Sequence, residues 1–306
     1  MEALAVPVLL AVGTLLAVQA AANVQLSAAS ASPLGAAAIQ LGIGATLLLA
    51  ATVVAGAVGG FGRLGDARAW HLVGGLASSL YITSGILLFP RLGALLTVGL
   101  WITGQMLASL ALDGFGWLGV EREPPALAQA LGAAAVIAGA AAIVRTQAGV
   151  SHAVRQHGAW LAFGLVAGAA LPLQGAINAQ LRTDLDAPIA AGAVSFVVAT
   201  AGMGALLAVA LIAAGAARPQ LGRLRELPWW GWLGGPVGAT YVTSVFLLIP
   251  KIGTAPTIAL TVAGQQAASV VVDRYGLLRL PRRPVGRVRL VGVGLLLAGV
   301  VLVTLA

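Results

Sequence analysis

Residues 18–33, VQAAANVQLSAASASP, and residues 173–188, LQGAINAQLRTDLDAP, decide the fold, because the second stretch repeats the first. Gln19, Asn23, Gln25, Leu26 and Pro33 fall on Gln174, Asn178, Gln180, Leu181 and Pro188 at a constant offset of 155 residues. Further along, the offset becomes 160. YITSGILLFPRLG at 81–93 meets YVTSVFLLIPKIG at 241–253, and Gly104, Gln105, Ser109, Asp113 and Gly116 meet Gly264, Gln265, Ser269, Asp273 and Gly276. In so apolar a chain, chance matches would fall on Ala, Leu, Val or Gly. Ordered matches of amides, hydroxyls and an acid mark a tandem duplication, residues 1–150 and 151–306.

The 306 residues are 59% hydrophobic and 8% charged, with a mean hydropathy of +0.99. A soluble domain is about 25% charged, so a water-soluble globular enzyme is excluded. Apolar runs between charge or Pro/Gly clusters predict ten membrane spans near 4–27, 34–59, 70–89, 93–112, 125–145, 159–181, 188–215, 229–249, 254–272 and 286–305. The run TLLLAATVVAGAVGG at 46–60 lacks the alternation of a barrel strand. MEALA at the start carries an acid and no Lys or Arg, which favours a first membrane helix over a signal peptide. Five spans per repeat is an odd number, so the second repeat enters the membrane in the opposite sense. The expected fold is an all-α integral membrane protein of ten transmembrane helices in two inverted five-helix repeats. In such folds the substrate site lies near the midplane between the repeats, and exchanging their conformations turns an opening on one face into an opening on the other.

A net charge of +8 and a pI near 11.4 suggest nucleic acid in a soluble protein. Here the basic residues sit beside apolar spans, where lipid phosphates are the expected partner, and no basic stripe interleaves with aromatics. One face receives Arg63, Arg68, Arg122, Arg182 and Lys251; the other receives Arg91, Arg145, Arg155, Arg218, Arg223, Arg225, Arg274, Arg279, Arg282, Arg283, Arg287 and Arg289. The positive-inside rule puts the second face in the cytoplasm and both termini outside.

Polar side chains inside spans either find partners or face a wet cavity. Gln19 and Asn23 are four apart, hence on one helical face, and recur as Gln174 and Asn178. Gln105 and Gln265 recur likewise, as do Tyr81, Thr83 and Ser84 in Tyr241, Thr243 and Ser244. We read these as a polar cavity lining made twice, with Tyr81 and Tyr241 as walls or gates; the other reading is interhelical glue. Asp113 and Asp273 end their spans and are the candidates for a gate or a protonation site. No acid lies well inside a span, which points to neutral or zwitterionic cargo or to uncoupled transport. Gly132 and Gly139, seven apart, recur as Gly292 and Gly299 and predict a close seam between the fifth and tenth helices. With no Cys and three His, there is no disulfide, no thiolate and no expected metal or cofactor. No hydrolase triad or P-loop is present, so enzymatic activity is not expected.

LPLQGAINAQL followed by Pro188, the paired YxTS…P[RK]xG phrases, and Gln, Ser, Asp then FG or YG resemble the YdcZ-like family of the drug/metabolite transporter superfamily. The resemblance covers essentially the whole chain and departs from the family motif at Gly114 and Arg274, where the family carries His. It implies an EamA-related, bacterial inner-membrane transporter with antiparallel halves. It also implies a comparison with small multidrug resistance proteins, whose first helix carries a Glu. This chain has Gln19 or Gln174 in that region, which points away from polyaromatic-cation/proton antiport. The expected function is secondary transport of a small metabolite or drug-like molecule by a monomer or homodimer. A channel-like pathway and a non-transporting scaffold or receptor component remain as alternatives.

Overall fold

The computed structural model describes residues 2–92, 94–123, 126–145, 158–213, 215–216, 218–280, 282 and 286–305. Ten long helices run among them. They are α1 (Glu2–Ser30), α2 (Pro33–Val54), α3 (Gly75–Leu92), α4 (Ala94–Phe115), α5 (Leu127–Arg145), α6 (Gly158–Leu185), α7 (Pro188–Ala213), α8 (Gly234–Ile252), α9 (Thr254–Tyr275) and α10 (Arg287–Leu305). Seven are long and apolar enough to cross a membrane, and α3, α5 and α10 contribute the shorter apolar stretches Gly75–Leu88, Leu127–Ala142 and Leu290–Thr304. The chain is an all-helical membrane protein of two inverted repeats.

The duplication is visible in the backbone. The two-residue breaks between α1 and α2 and between α6 and α7 each open on a left-handed residue, Ala31 at φ 50 and Asp186 at φ 46. Gly116 and Leu118 after α4 take φ 66 and 55, and Gly276 and Leu278 after α9 take φ 63 and 55. Ser32 opens α2 by accepting the Gly35 N–H at 3.1 Å, with Pro33 at the first helical position, where its missing donor costs nothing.

Span limits differ from the sequence expectation in three ways. First, α1, α4, α6 and α9 continue past their expected ends to Ser30, Phe115, Leu185 and Tyr275, because polar residues stay helical where the backbone has no better partner. Second, α3 and α8 begin only at Gly75 and Gly234, since the tryptophan-bearing stretches before them form the separate turns Ala69–Leu72 and Trp229–Trp232. Third, α3 and α8 continue past their expected ends at residues 89 and 249. The helices run through Pro90 and Pro250 to Leu92 and Ile252, and the turn after α8 is made by Gly253 at φ 84.

Every close seam joins one repeat to the other. A Cβ on Gly132 would lie 2.6 Å from the Gly299 carbonyl oxygen, and one on Gly139 would lie 2.5 Å from that of Gly292, so α5 and α10 pack antiparallel backbone to backbone. Gly13 of α1 and Gly264 of α9 meet the carbonyls of Thr261 and Leu10, and Gly168 of α6 and Gly104 of α4 meet those of Trp101 and Leu165. With small residues at the seams, large apolar side chains such as Val54, Val209, Ile212, Val291 and Val301 are left exposed toward lipid. Alternation of the helices puts the α2–α3 and α4–α5 connections on one face and the α7–α8 and α9–α10 connections on the other.

Candidate functional site

The four amides singled out by the repeat lie at two equivalent seams. On the seam between α3 and α6, the Ser78 hydroxyl donates to Gln174 Oε1 at 2.9 Å. Gln174 Nε2 and Asn178 Nδ2 then donate to the Ser195 hydroxyl of α7 at 3.4 and 2.9 Å. On the seam between α1 and α8, Gln40 occupies the position equivalent to Ser195 and Gly238 the position equivalent to Ser78. There, Gln19 Nε2 donates to the Gly234 carbonyl at 3.0 Å. Asn23 Oδ1 and Gln40 Oε1 converge on Gly234, whose added Cβ would lie 2.5 Å from each. The two Gln/Asn pairs thus belong to different seams, one nearer each face.

Their surroundings are unequal. Gln174 and Asn178 are 2% and 0% exposed, whereas Gln19 and Asn23 are half-buried. The same inequality holds for Gln105, buried on α4, against half-buried Gln265 on α9, and for buried Ser84 against half-buried Ser244. Only the tyrosines reverse it, with Tyr241 buried and Tyr81 half-buried.

Tyr81 tilts against Trp101 with ring centroids 4.3 Å apart. Ser84 serves packing: it donates to the Tyr81 carbonyl at 2.7 Å and accepts from Trp101 Nε1 at 3.1 Å. Several buried polar atoms have no hydrogen-bond partner, and two sets recur at matched positions: Asn23 Oδ1 with Asn178 Oδ1, and Thr83 Oγ1 with Thr243 Oγ1. Leaving such an atom unpaired costs about 1–3 kcal/mol.

Asp113 joins the repeats from the end of α4. Its two oxygens accept the backbone N–H groups of Thr254 and Ala255 at 2.8 and 2.6 Å, capping α9. The side chain of Asp273 lies outside those described. Three further contacts tie the repeats together on the α2–α3 face. Arg63 Nη1 is 3.3 Å from Asp186 Oδ2, His71 Nδ1 pairs with Asp184 Oδ2, and Gln180 Nε2 donates to the Gly119 carbonyl at 3.0 Å. Among the described residues no three His, Asp or Glu side chains gather as a metal set.

A family model described as "Putative inner membrane exporter, YdcZ" matches residues 4–142 and again residues 159–302. The chain belongs to this YdcZ family of drug/metabolite transporters. A crystal structure of a protein 17% identical superposes on 99% of this chain and 96% of its own with a TM-score of 0.66, which shows the fold. No curated protein sequence matches the chain.

Within this YdcZ chain, the duplicated polar residues stand at the inter-repeat seams. Missing from the sequence reading are Gln40 and Ser195, which occupy equivalent positions as different residue types, and the glycine pairs Gly74–Gly75 and Gly234–Gly235, over which Asn178 and Asn23 lie. The glycine pairs do repeat at offset 160, so the duplication carries a signal for them. His71, Asp184 and Asp186 are unmatched in the other repeat, and a search for repeated residues passes over them.

Proposed function

We propose that the protein is a secondary transporter that moves a small neutral or zwitterionic molecule across the bacterial cytoplasmic membrane by alternating access, and not an enzyme. The observation that carries this reading is the unequal state of two equivalent amide clusters. Gln174 and Asn178 are sealed against α3 and α7, while Gln19 and Asn23 at the matching seam are half-open. In an inverted-repeat carrier the two seams are the two gates, and one is shut when the other yields. The unpartnered oxygens of Asn23, Gln40 and Asn178 supply acceptors for a hydrogen-bond donor on the cargo or for water. Tyr81 and Trp101 supply flat apolar surface, their ring centroids 4.3 Å apart. Charge in the loops favours the orientation in which the α7–α8 face is cytoplasmic and both termini are outside.

A thermal-shift screen of small metabolites on the purified protein, followed by uptake into proteoliposomes with and without a pH gradient, tests the proposal. The expected result is saturable uptake that is lost in Asn23→Ala and Asn178→Ala. Linear, non-saturating flux, or uptake indifferent to both substitutions, would count against it.

A further inference from the structure

The two pseudo-equivalent gates are fastened very differently. The turn before α3, α3 itself and α6 are joined by the Arg63–Asp186 ion pair at 3.3 Å, the His71–Asp184 pair and the Ser78–Gln174 hydrogen bond at 2.9 Å. Applying the repeat offsets of 160 and 155 gives the matching positions on the α8–α1 seam. They are Arg223 with Ala31, Gly231 with Ala29, and Gly238 with Gln19. Each fastening has lost a partner there. The GRL at 62–64 recurs at 222–224, so Arg223 is the true counterpart of Arg63, and its missing partner is the carboxylate replaced by Ala31.

The His71–Asp184 pair matters most, because it is the least solvated: its side chains are 6% and 26% exposed, against 53% and 80% for Arg63 and Asp186. Exposed pairs contribute little and buried ones are costly to part, since separation strands a charge. His71 sits between α6, which brings Arg182 and Asp184, and α7, which carries no charged residue. Asp186 lies just beyond α6, and Arg63, Asp66 and Arg68 belong to the connection that precedes His71.

We propose that the α3–α6 seam is a latched gate and the α1–α8 seam an unlatched one, so that the protein rests closed toward the α2–α3 face and opens first toward the α7–α8 face. The device is a pair of polar ties: Asp184 and Asp186 of the second repeat hold His71 and Arg63 of the first, where the opposite face has Ala29 and Ala31. This inference rests on the alternating-access reading and adds which state the chain favours and why.

The chain contains no cysteine, so single thiols report accessibility without background removal. Ser78→Cys reports the α3–α6 gate and Gln19→Cys, at a half-buried position, the α1–α8 gate, both read with a membrane-impermeant maleimide on protein in nanodiscs. The Gln19→Cys thiol is expected to react about tenfold faster than the Ser78→Cys thiol, and Asp184→Asn with Asp186→Asn to bring the two rates together. Asp186→Arg alone speeds labelling at position 78, and adding Arg63→Asp restores the slow rate, an outcome that a merely misfolded variant cannot give. Ala31→Asp, at a residue with the same left-handed backbone as Asp186, should slow labelling at position 19 by pairing with Arg223. Unchanged labelling at both positions in the asparagine double variant overturns the latch. A bifunctional reagent joining Ala31→Cys to Arg223→Cys separates that failure from failure of the transport reading. If closing this gate speeds labelling at position 78, alternating access stands whatever the latch variants did; if it leaves position 78 unchanged, alternating access itself falls.

Discussion

Gly139→Ala examines the close seam between α5 and α10. Ordinary contact at a Cβ begins at 3.4 Å, but the methyl would sit 2.5 Å from the Gly292 carbonyl oxygen and 2.7 Å from the Leu296 nitrogen. Both obstacles are backbone, so no side chain can swing away, and α5 and α10 must part by most of an ångström. A gap of that size forfeits roughly a quarter to a half of the dispersion well for each contact along the seam, and overpacking of this kind costs about 1–3 kcal/mol. Gly294→Ala on the same helix α10 is the control. Nothing lies within 4 Å of its added Cβ, so only the helix preference for Ala operates, worth up to about 1 kcal/mol in the stabilising direction. Thermal unfolding in detergent, followed by tryptophan fluorescence and by recovery of monodisperse protein, should therefore place Gly139→Ala below wild type and Gly294→Ala at or above it. Gly132→Ala with Gly139→Ala should cost less than the sum of the two, because one separation of the helices relieves both clashes. Equal thermal midpoints for Gly139→Ala and Gly294→Ala would refute the backbone-contact argument.

Further outcomes follow from individual hydrogen bonds. Ser195→Ala leaves Asn178 Nδ2 without its acceptor at 2.9 Å, and should lower stability by about 1–3 kcal/mol in the same assay. Gln40→Met, at the equivalent position, removes an oxygen that has no partner, so stability should hold or rise while transport falls; a loss of stability would show that the Gln40 amide has a structural bond. Asp113→Asn keeps one acceptor oxygen for Thr254 or Ala255 and loses the charge at the start of α9, for an expected cost of about 1–2 kcal/mol; an unchanged midpoint would mean the cap contributes nothing. A reporter fused after Ala306 should be active outside the cytoplasm; cytoplasmic activity would reverse the proposed orientation.

How far the fold can be read from sequence depends on what duplication preserves. The phrases around Gln19 and Gln174, and around Tyr81 and Tyr241, kept polar identities against an apolar background, and they mark both the repeat and its inversion. The seven-residue spacing of Gly132 and Gly139 sits where α5 and α10 touch, since two helical turns return a glycine to the same side. Helix limits were less legible. Apolarity marks where lipid begins and ends, but Gly56, Gly215 and Gly253 with positive φ decide where the helices stop. The distribution of the amides between two seams is a matter of which helices cross, and spacing along one helix carries no information about that. The pairing of His71 with Asp184 was hidden for a further reason. It lies where the repeats diverge, so the comparison that found the matched residues discards it, although that divergence distinguishes the two gates.

Counterflow tests the central claim most directly. Proteoliposomes are preloaded with a high concentration of the unlabelled compound that most stabilises the protein, diluted, and offered a trace of the labelled compound outside. A site exposed to one face at a time exchanges cargo one for one, so labelled compound should accumulate inside transiently above its outside concentration and then decay. Label that rises only to equilibrium, with no overshoot at any preload, would identify a continuous pathway and contradict alternating access through the paired seams.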